Sequence, residues 1–263
     1  MSTRSNDRGA GTQSIERASQ LLRVIASRNG TGLRLVELSR HTRLERPTVH
    51  RILKCLVKEG VIKQDAKTHR YFLGHLIFEL GLAAGSQFNQ RDVCRESLLR
   101  LAEGTGDTVF LTMRSGFDTV CLDRKEGSFP IRTLTLDIGT RRPLGAGAGG
   151  LALLMSLPEQ AVQDIVSANA RRLGAYNNLT VPAMLRMWTR SQELGYALND
   201  AHITPDAMSV GMAIPSRYGD PYLAISIGAI SSRMTRDRQK ELAALMKIEV
   251  KILERALNDA ASP

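Results

Sequence analysis

The segment from Arg46 to Gly60 constrains the fold of this chain more than any other part of the sequence. Its apolar residues recur at steps of three and four, which predicts a helix with one buried face. They are Val49, Ile52, Leu53, Leu56 and Val57. Pro47 suits the first turn, where its missing N–H would have no partner in the helix. The opposite face carries hydrogen-bond donors: Thr48, His50, Arg51, Lys54 and Lys58.

Two helices, the second of them short, precede this segment, and a hairpin follows it. Ser14 is placed to cap a first helix, and a short second helix is predicted from Leu35 to His41. The buried stripe of the first helix is predicted to be Ile15, Ala18, Leu22 and Ile25. Residues 61–64 and 70–73 form two extended runs around a basic turn. Three helices and a ribbon predict a winged helix-turn-helix, whose third helix enters the major groove of DNA.

Positive charge is concentrated in the same part of the chain. The 263 residues carry 36 lysines and arginines against 26 acidic residues, a net charge of +10. Residues 1–74 hold 15 of these cations and only 6 acids, whereas the remainder is nearly neutral. A cationic helix face by itself is usually only a solvent-exposed surface and not a DNA-binding one. Its combination with the helical pattern, the hairpin and the local charge favours a basic DNA-binding module.

Cysteine spacing and the chain termini exclude several other classes. Cys55, Cys94 and Cys121 are far apart and include no CxxC pair, so we expect neither a disulfide framework nor a metal site, and a reduced, cytoplasmic setting. Residues 1–13 are polar, lack the apolar core of a secretory signal and are interpreted as a flexible tail. No run of 18 apolar residues predicts a membrane span.

The remaining three quarters predict a linker and an α+β domain. Residues 75–84 form a short helix, apolar on more than one side, that is either buried or shared with a partner chain. The strands are predicted at 109–111, 120–122, 131–136, 208–214 and 222–227. The helices are predicted at 92–103, 148–156, 159–168, 181–194 and 235–257. This order is typical of an antiparallel sheet with helices packed on it.

An enzyme or nucleotide-binding protein with an accessory basic domain is the alternative. His202 is the one histidine beyond the linker, and no GxSxG, HExxH or P-loop pattern is present, so no catalytic residue is assigned. Residues 145–150 satisfy GxGxxG literally. A dinucleotide site needs that motif after a buried strand in a βαβ unit, which the preceding Arg141-Arg142-Pro143 does not suggest. We therefore expect no enzyme activity and no cofactor.

Four segments resemble the N-terminal domain of IclR-type bacterial transcriptional regulators, and the resemblance continues to the C-terminus. They are Gln13–Ala18, Leu38–Leu44, Pro47–Leu53 and Arg70–Gly74. The resemblance implies a recognition helix beginning near Arg46 and a linker helix that supports a dimer or a dimer of dimers on palindromic operator DNA. It also implies a GAF-like effector-binding and oligomerisation domain. The expected division is 14–74 for DNA binding, 75–90 for the linker and 91–263 for the effector domain.

Eight residues are the candidates for DNA contact. Thr48, His50 and Arg51 are expected at or beside base edges, whereas Arg46, Lys54, Lys67 and Arg70 are expected on phosphates. Arg43 stands where the family's turn usually carries glycine. It adds a cation beside the DNA face, but a positive φ is costly for arginine.

The glycine-rich stretch is also the candidate effector site. Small residues let a ligand approach the backbone, and the first N–H groups of a helix that starts near Ala148 favour a small carboxylate. By resemblance, the effector contacts fall on Ala148, Gly149, Asn199, Ser209, Ser226 and Gly228. Asn199 replaces a common acid, Gly228 a serine of one family branch and Leu151 a frequent lysine. These departures predict a less polar cavity and a larger or more aromatic acid than a short keto acid.

Overall fold

The computed structural model describes residues 10–85, 89–133, 135–200, 204–217 and 219–260. The chain divides into two compact units, Met1–Phe88 and Asn89–Pro263. None of the helices in these described ranges is both long and apolar enough to cross a membrane.

The N-terminal unit is a winged helix-turn-helix, as the sequence predicts. Its elements are α1 (Ala10–Ala26), α2 (Leu35–Thr42), α3 (Arg46–Lys58), β1 (Ile62–Gln64), β2 (Tyr71–Leu73) and α4 (His75–Ala84). Strands β1 and β2 pair antiparallel from Ile62 opposite Leu73 to Gln64 opposite Tyr71. An isolated bridge between Leu33 and Tyr71 connects the ribbon to the segment before α2.

The buried core of this unit differs from the predicted stripe at α1. Leu21 and Ile25 are fully buried, whereas Ile15 is 68% exposed, because the helix meets α2 and α3 only through its C-terminal half. The helix also begins at Ala10 and not at Ser14, since nothing in 10–13 interrupts helical hydrogen bonding. Of the predicted tail, residues 10–13 are therefore helical and 1–9 lie outside the described residues.

The C-terminal unit is built on one antiparallel sheet. Its strands are β3 (Thr108–Ser115), β4 (Asp118–Lys125), β5 (Arg141–Pro143), β6 (Ala197–Asp200), β7 (Ala207–Ser216) and β8 (Gly219–Ile230), in the order β5-β4-β3-β8-β7-β6. Its helices are α5 (Gln90–Thr105), α6 (Ala148–Met155), α7 (Glu159–Leu173), α8 (Val181–Leu194) and α9 (Arg236–Ala260). A one-turn 3₁₀ helix, Ser231–Arg233, joins β8 to the loop before α9.

The two faces of the sheet bury different side chains because strand residues alternate. On β8, Ile225 and Ile227 belong to the core that also contains residues of α5 and α9. Between and after them, Ser226 and Gly228 point to the other face, where α6 lies. A second apolar core lies among α6, α7 and α8. The sheet therefore carries an apolar face and a face that is partly polar.

The strand predicted at 131–136 is wrong. The described residues of this stretch have no strand structure, and Leu134 lies outside the described residues. Backbone carbonyls of this loop accept hydrogen bonds from arginine side chains, Thr135 from Arg142 and Leu136 from Arg124, in place of a neighbouring strand. Short strands β5 and β6 were not predicted, and they form the two edges of the sheet.

Candidate functional site

Helix α3 presents most of the predicted DNA-contacting side chains to solvent. His50, Arg51 and Lys54 are exposed, Arg46 is exposed at the first turn, and Thr48 is half-buried. The opposite side of the helix is anchored by fully buried Val49 and Leu53. The burial of that face orients the cationic side away from the core, as the recognition helix of a DNA reader requires.

The turn between α2 and α3 contains the strained residue that the sequence predicts. Arg43 ends α2 in the left-handed conformation, with φ 58° and ψ 24°. Its side chain is exposed, and the Ser39 hydroxyl closes the turn by donating to the Leu44 carbonyl at 2.6 Å. The turn therefore tolerates a costly conformation at the one position that adds a cation beside α3.

The tip of the wing is organised by Asp65. Its Oδ1 accepts from the Thr68 hydroxyl and the Thr68 N–H, both at 2.7 Å, and these bonds lower the pKa of Asp65. Lys67 lies exposed in this turn. Arg70 is less free than the sequence suggests, because its Nη1 donates to the Gly32 carbonyl at 2.8 Å and lies 3.6 Å from Glu37.

A cavity in the C-terminal unit brings together all six residues proposed for effector contact. Ala148 and Gly149 of α6 form one wall, and Asn199, Ser209, Ser226 and Gly228 lie on β6, β7 and β8 beneath them. The cavity encloses about 490 Å³ including its open mouth, but only about 30 Å³ can hold the centre of a water molecule. It is therefore narrow, with room for roughly two or three waters.

Glycines hold α6 close to the sheet. Gly145 and Gly147 have φ of 98° and 107°, which favours glycine strongly and lets the chain turn sharply into α6. A Cβ on Gly149 would lie 2.4 Å from Thr112 Oγ1, and one on Gly211 would lie 2.5 Å from the Ala148 carbonyl oxygen. The first turn of α6 consequently borders the cavity. Its backbone N–H groups have no hydrogen-bond partner within the helix.

Arg142 is a cavity residue that the sequence reasoning did not identify. Its guanidinium lines the cavity, donates to the Thr135 carbonyl and lies 5.7 Å from the Tyr176 ring centre. Burial lowers the pKa of Arg142. Its neighbour Arg141 instead lies 3.3 Å from Asp118, outside the cavity lining. The available signal was strand alternation, since consecutive residues of β5 point to opposite sides.

Two buried polar atoms of the cavity lack partners among the described residues. They are Oδ1 of Asn199, a residue 6% exposed, and Oγ1 of Thr133, a residue 8% exposed. Most buried polar groups in proteins are hydrogen-bonded, because desolvation without a partner costs about 1–3 kcal/mol. These two atoms therefore mark places where a bound molecule would complete the hydrogen bonding.

Leu151 does not affect the polarity of the cavity as expected, whereas the expectation of a larger or more aromatic acid stays a prediction. Leu151 is fully buried in the apolar core among α6, α7 and α8, because it lies on the side of α6 away from the cavity. Among the residues that the structure describes, seven that bear a hydroxyl line the cavity in addition to Arg142 and Asn199. They are Thr112, Thr119, Thr133, Thr135, Thr204, Ser209 and Ser226.

The geometry gives no βαβ unit around the glycine-rich stretch. The strand before it, β5, has three residues, lies at an edge and pairs antiparallel with β4. His202 lies outside the described residues. Burial raises the pKa of the thiols of Cys94 and Cys121 to about 12. Within the described residues, no three histidine, cysteine or acidic side chains are grouped to hold a metal.

Comparisons with known proteins agree with this architecture. Residues 14–66 match the model of the IclR helix-turn-helix domain, and residues 83–252 match that of the bacterial transcriptional regulator IclR C-terminal domain. The HTH-type transcriptional repressor AllR of Salmonella typhi is 28% identical over 94% of this chain and 90% of its own length.

Solved structures of similar proteins show the same fold. An IclR family transcriptional regulator from Brucella abortus has a TM-score of 0.76, with 24% identity, and covers 97% of this chain and 96% of its own. An IclR homologue from Microbacterium hydrocarbonoxydans, complexed with 4-hydroxybenzoate, has a TM-score of 0.67 and 19% identity, and covers 92% of this chain and 99% of its own. The two matched domains together span most of the sequence, and the chain therefore belongs to the IclR family of bacterial transcriptional regulators.

Proposed function

We propose that this chain binds a palindromic operator as a dimer or a dimer of dimers, in the cytoplasm, and that a small organic acid in the C-terminal cavity changes that binding. The observation that carries the proposal is the convergence of Ala148, Gly149, Asn199, Ser209, Ser226 and Gly228 on one narrow cavity. Helix α6 and three strands that follow it about 40 to 80 residues later, β6, β7 and β8, supply these residues. The first turn of α6 offers N–H groups suited to an anion.

The DNA-contacting role is assigned to cations and hydrogen-bond donors of the N-terminal unit that are exposed or half-buried. They are Arg43, Arg46, Thr48, His50, Arg51, Lys54, Lys67 and Arg70. The exposed face of α3 supplies the candidates for base reading, and the wing supplies Lys67 for the backbone. Of the eight, Arg70 is the weakest candidate, since it already binds Gly32 and approaches Glu37.

Self-association is supported by α4. This ten-residue helix exposes Phe78, Leu80 and Leu82 to 62, 56 and 65%. Three large apolar side chains on one short helix favour a partner surface, and a symmetric dimer matches a palindromic site. Sedimentation of the Phe78→Ser, Leu82→Ser double variant is expected to show a smaller assembly than the wild type.

The function is tested by gel shift with the DNA upstream of the chain's own gene. A specific complex is expected, and an organic acid that binds the protein is expected to change its affinity, because a ligand that binds both states equally shifts nothing. Equal operator affinity with and without a saturating acid would contradict the effector role, and failure to bind any upstream DNA would contradict the regulatory role itself.

A further inference from the structure

We propose that α9 binds α9 of a second copy of this chain, with the two helices antiparallel and two-fold symmetric about Ile248. The contact surface, which we call the α9 stripe, consists of five residues on one side of the helix: Glu241, Ala244, Ile248, Ile252 and Arg255. This inference rests on the proposed self-association of the chain. It assigns the surface through which two dimers paired by α4 join into a dimer of dimers.

The α9 stripe lies on the side of the helix that the C-terminal unit leaves uncovered. The opposite side is buried in the core that also contains residues of α5 and the sheet, through Leu242, Met246, Val250 and Leu253. At about 100° per residue, every member of the stripe lies within roughly 40° of Ile248. Ile248 is 60% exposed and Ile252, one turn later, is 44% exposed. The helix therefore has a second apolar side in addition to the one that it buries.

The centre of the stripe is complementary to itself in shape. In an antiparallel pair centred on Ile248, residues equally far before and after it face each other across the two-fold axis. Ala244, four residues before the centre, then faces Ile252 of the second copy, four residues after it. A small side chain opposite a branched one lets two helices approach closely while both isoleucines leave water. Both copies gain the same contact twice.

The ends of the stripe are complementary to each other in charge. Glu241 lies seven residues before Ile248 and Arg255 seven residues after it, so the same pairing sets each against the other across the axis. Arg255 is exposed and has no ionic partner among the described residues. Glu241 binds Arg238 of its own helix at 2.8 Å through Oε1, and its side chain is 56% exposed. The pairing therefore adds two symmetric ion pairs around the apolar centre.

The order of charges identifies a second copy as the occupant. An anionic membrane or an acidic partner helix would be attracted by Arg255 and repelled by Glu241, whereas an antiparallel copy meets each with its opposite. Like charges face each other only beyond these pairs, where Asp237 is set against Asp259. Both of these carboxylates are exposed, so water and salt screen their repulsion. The stripe as a whole consequently favours itself over a uniformly charged surface.

Sedimentation equilibrium of the full-length chain tests the apolar centre. Ile248→Glu brings two carboxylates together at the two-fold axis and is expected to weaken the association through α9 roughly a hundredfold. Ile131→Glu changes an isoleucine that is 58% exposed in the loop after β4, and this matched control is expected to assemble like the wild type. Unchanged assembly of Ile248→Glu overturns the inference, whether the wild type is a dimer or a dimer of dimers.

Charge reversal tests the two ends of the stripe. Glu241→Arg alone and Arg255→Glu alone each set like charges against each other, and each is expected to weaken the association roughly tenfold. The double variant Glu241→Arg, Arg255→Glu restores opposite charges across the axis and is expected to recover most of the wild-type association. A double variant that associates no better than the single ones contradicts the antiparallel pairing.

Disulfide formation tests the register. The starting chain is Cys55→Ser, because Cys55 is exposed whereas Cys94 and Cys121 are buried. With a mild oxidant, Ile248→Cys is expected to give a covalent dimer, since helices about 8–10 Å apart bring facing Cα atoms within disulfide reach. Arg255→Cys is the control and is expected to stay unlinked, because its two copies lie about 21 Å apart along the helices. Linkage of Arg255→Cys without linkage of Ile248→Cys is the contrary result.

Two further readouts keep this inference distinct from the proposed function. Thermal unfolding shows that each variant is folded, and gel shift on upstream DNA shows that the N-terminal unit still binds. An assembly that is reduced by Phe78→Ser, Leu82→Ser but not by a folded Ile248→Glu keeps the proposed function and loses this inference. An assembly that is reduced by Ile248→Glu alone keeps this inference and refutes the pairing through α4.

Discussion

The DNA-facing surface of the N-terminal unit and the cavity of the C-terminal unit treat polar groups in opposite ways. On α3, the side chains of Arg51 and Lys54 are exposed, so water hydrates their charges in the absence of DNA. In the cavity, Asn199 and Thr133 are more than nine-tenths buried and leave atoms without partners. Exposed charge on a surface attracts DNA over a long range and speeds association. A site for one small molecule instead needs buried polar groups whose positions are fixed before the ligand binds.

The contact between α6 and the sheet beside the cavity is expected to tolerate added volume poorly. Gly211→Ala is expected to lower the free energy of unfolding of the C-terminal unit by about 1–3 kcal/mol, because its Cβ would meet the Ala148 carbonyl, a backbone atom that cannot rotate away. Trp188 on α8 is the single tryptophan of the chain, so its fluorescence in urea reports this unit. Gly104→Ala is the control, since a Cβ there meets nothing within 4 Å. An unchanged unfolding midpoint for Gly211→Ala would contradict the close approach.

On the exposed face of α3, a substitution is expected to reduce discrimination between DNA sequences without lowering the stability of the fold. Arg51→Ala is expected to reduce the preference for operator over random DNA by about 1–3 kcal/mol, the usual value of a base-edge contact. Lys54→Ala on the same helix is the comparison variant, and it is expected to weaken both DNAs alike. Competition gel shifts measure, for each variant, the ratio of affinities for operator and random DNA. An unchanged ratio for Arg51→Ala would show that Arg51 does not contact base edges.

Lys67 at the wing tip is expected to contact phosphate, and such a contact makes the affinity for DNA depend on the salt concentration. Lys67→Ala is expected to weaken binding to every DNA sequence to a similar extent and to reduce the slope of log affinity against log salt by about one, as loss of one phosphate contact requires. Lys251→Ala, an exposed lysine on α9, removes the same charge from the other unit and should leave the slope unchanged. Equal effects of the two substitutions would point to net charge alone.

The smallest expected effect concerns the strained turn. Arg43→Gly is expected to stabilise the N-terminal unit by up to about 1 kcal/mol, because glycine adopts a φ of 58° without steric cost, and to weaken DNA binding through loss of a cation. Hydrogen exchange of the α2 and α3 amides in the full chain measures the first effect, and gel shift the second. Arg43→Asn, which tolerates this conformation without a charge, separates the two. Faster exchange in Arg43→Gly is the contrary result.

Elements with a strong, local pattern were predictable. The alternation of Val49 and Leu53 with exposed donors predicted α3, and the turn at 115–118 predicted the β3–β4 hairpin. The closing helix differs from its predicted ends by only one and three residues. In each case, the regularly spaced apolar residues or the turn residues lie within the element itself, so the pattern is visible without the rest of the fold.

Elements that depend on distant partners were not predictable. Residues 131–136 alternate like a strand, yet arginine side chains bind their carbonyls. Strand β6 has four residues and exists because β7 pairs with it. For the same reason, Leu151 was wrongly expected to line the cavity and Arg142 was not identified. Only the packing of α6 and β5 on the sheet decides which side chains reach the cavity.

Periodicity, composition and family motifs are local properties of the chain, and they were enough to predict the winged helix-turn-helix, the concentration of charge and, through the family resemblance, the six residues that line the cavity. That Arg142 lines the cavity without a carboxylate partner among the described residues, and that Asn199 lines it from the other edge strand of the sheet, could be learned only from the folded chain. Those two facts follow from strand order and burial, which residues far apart in sequence create together.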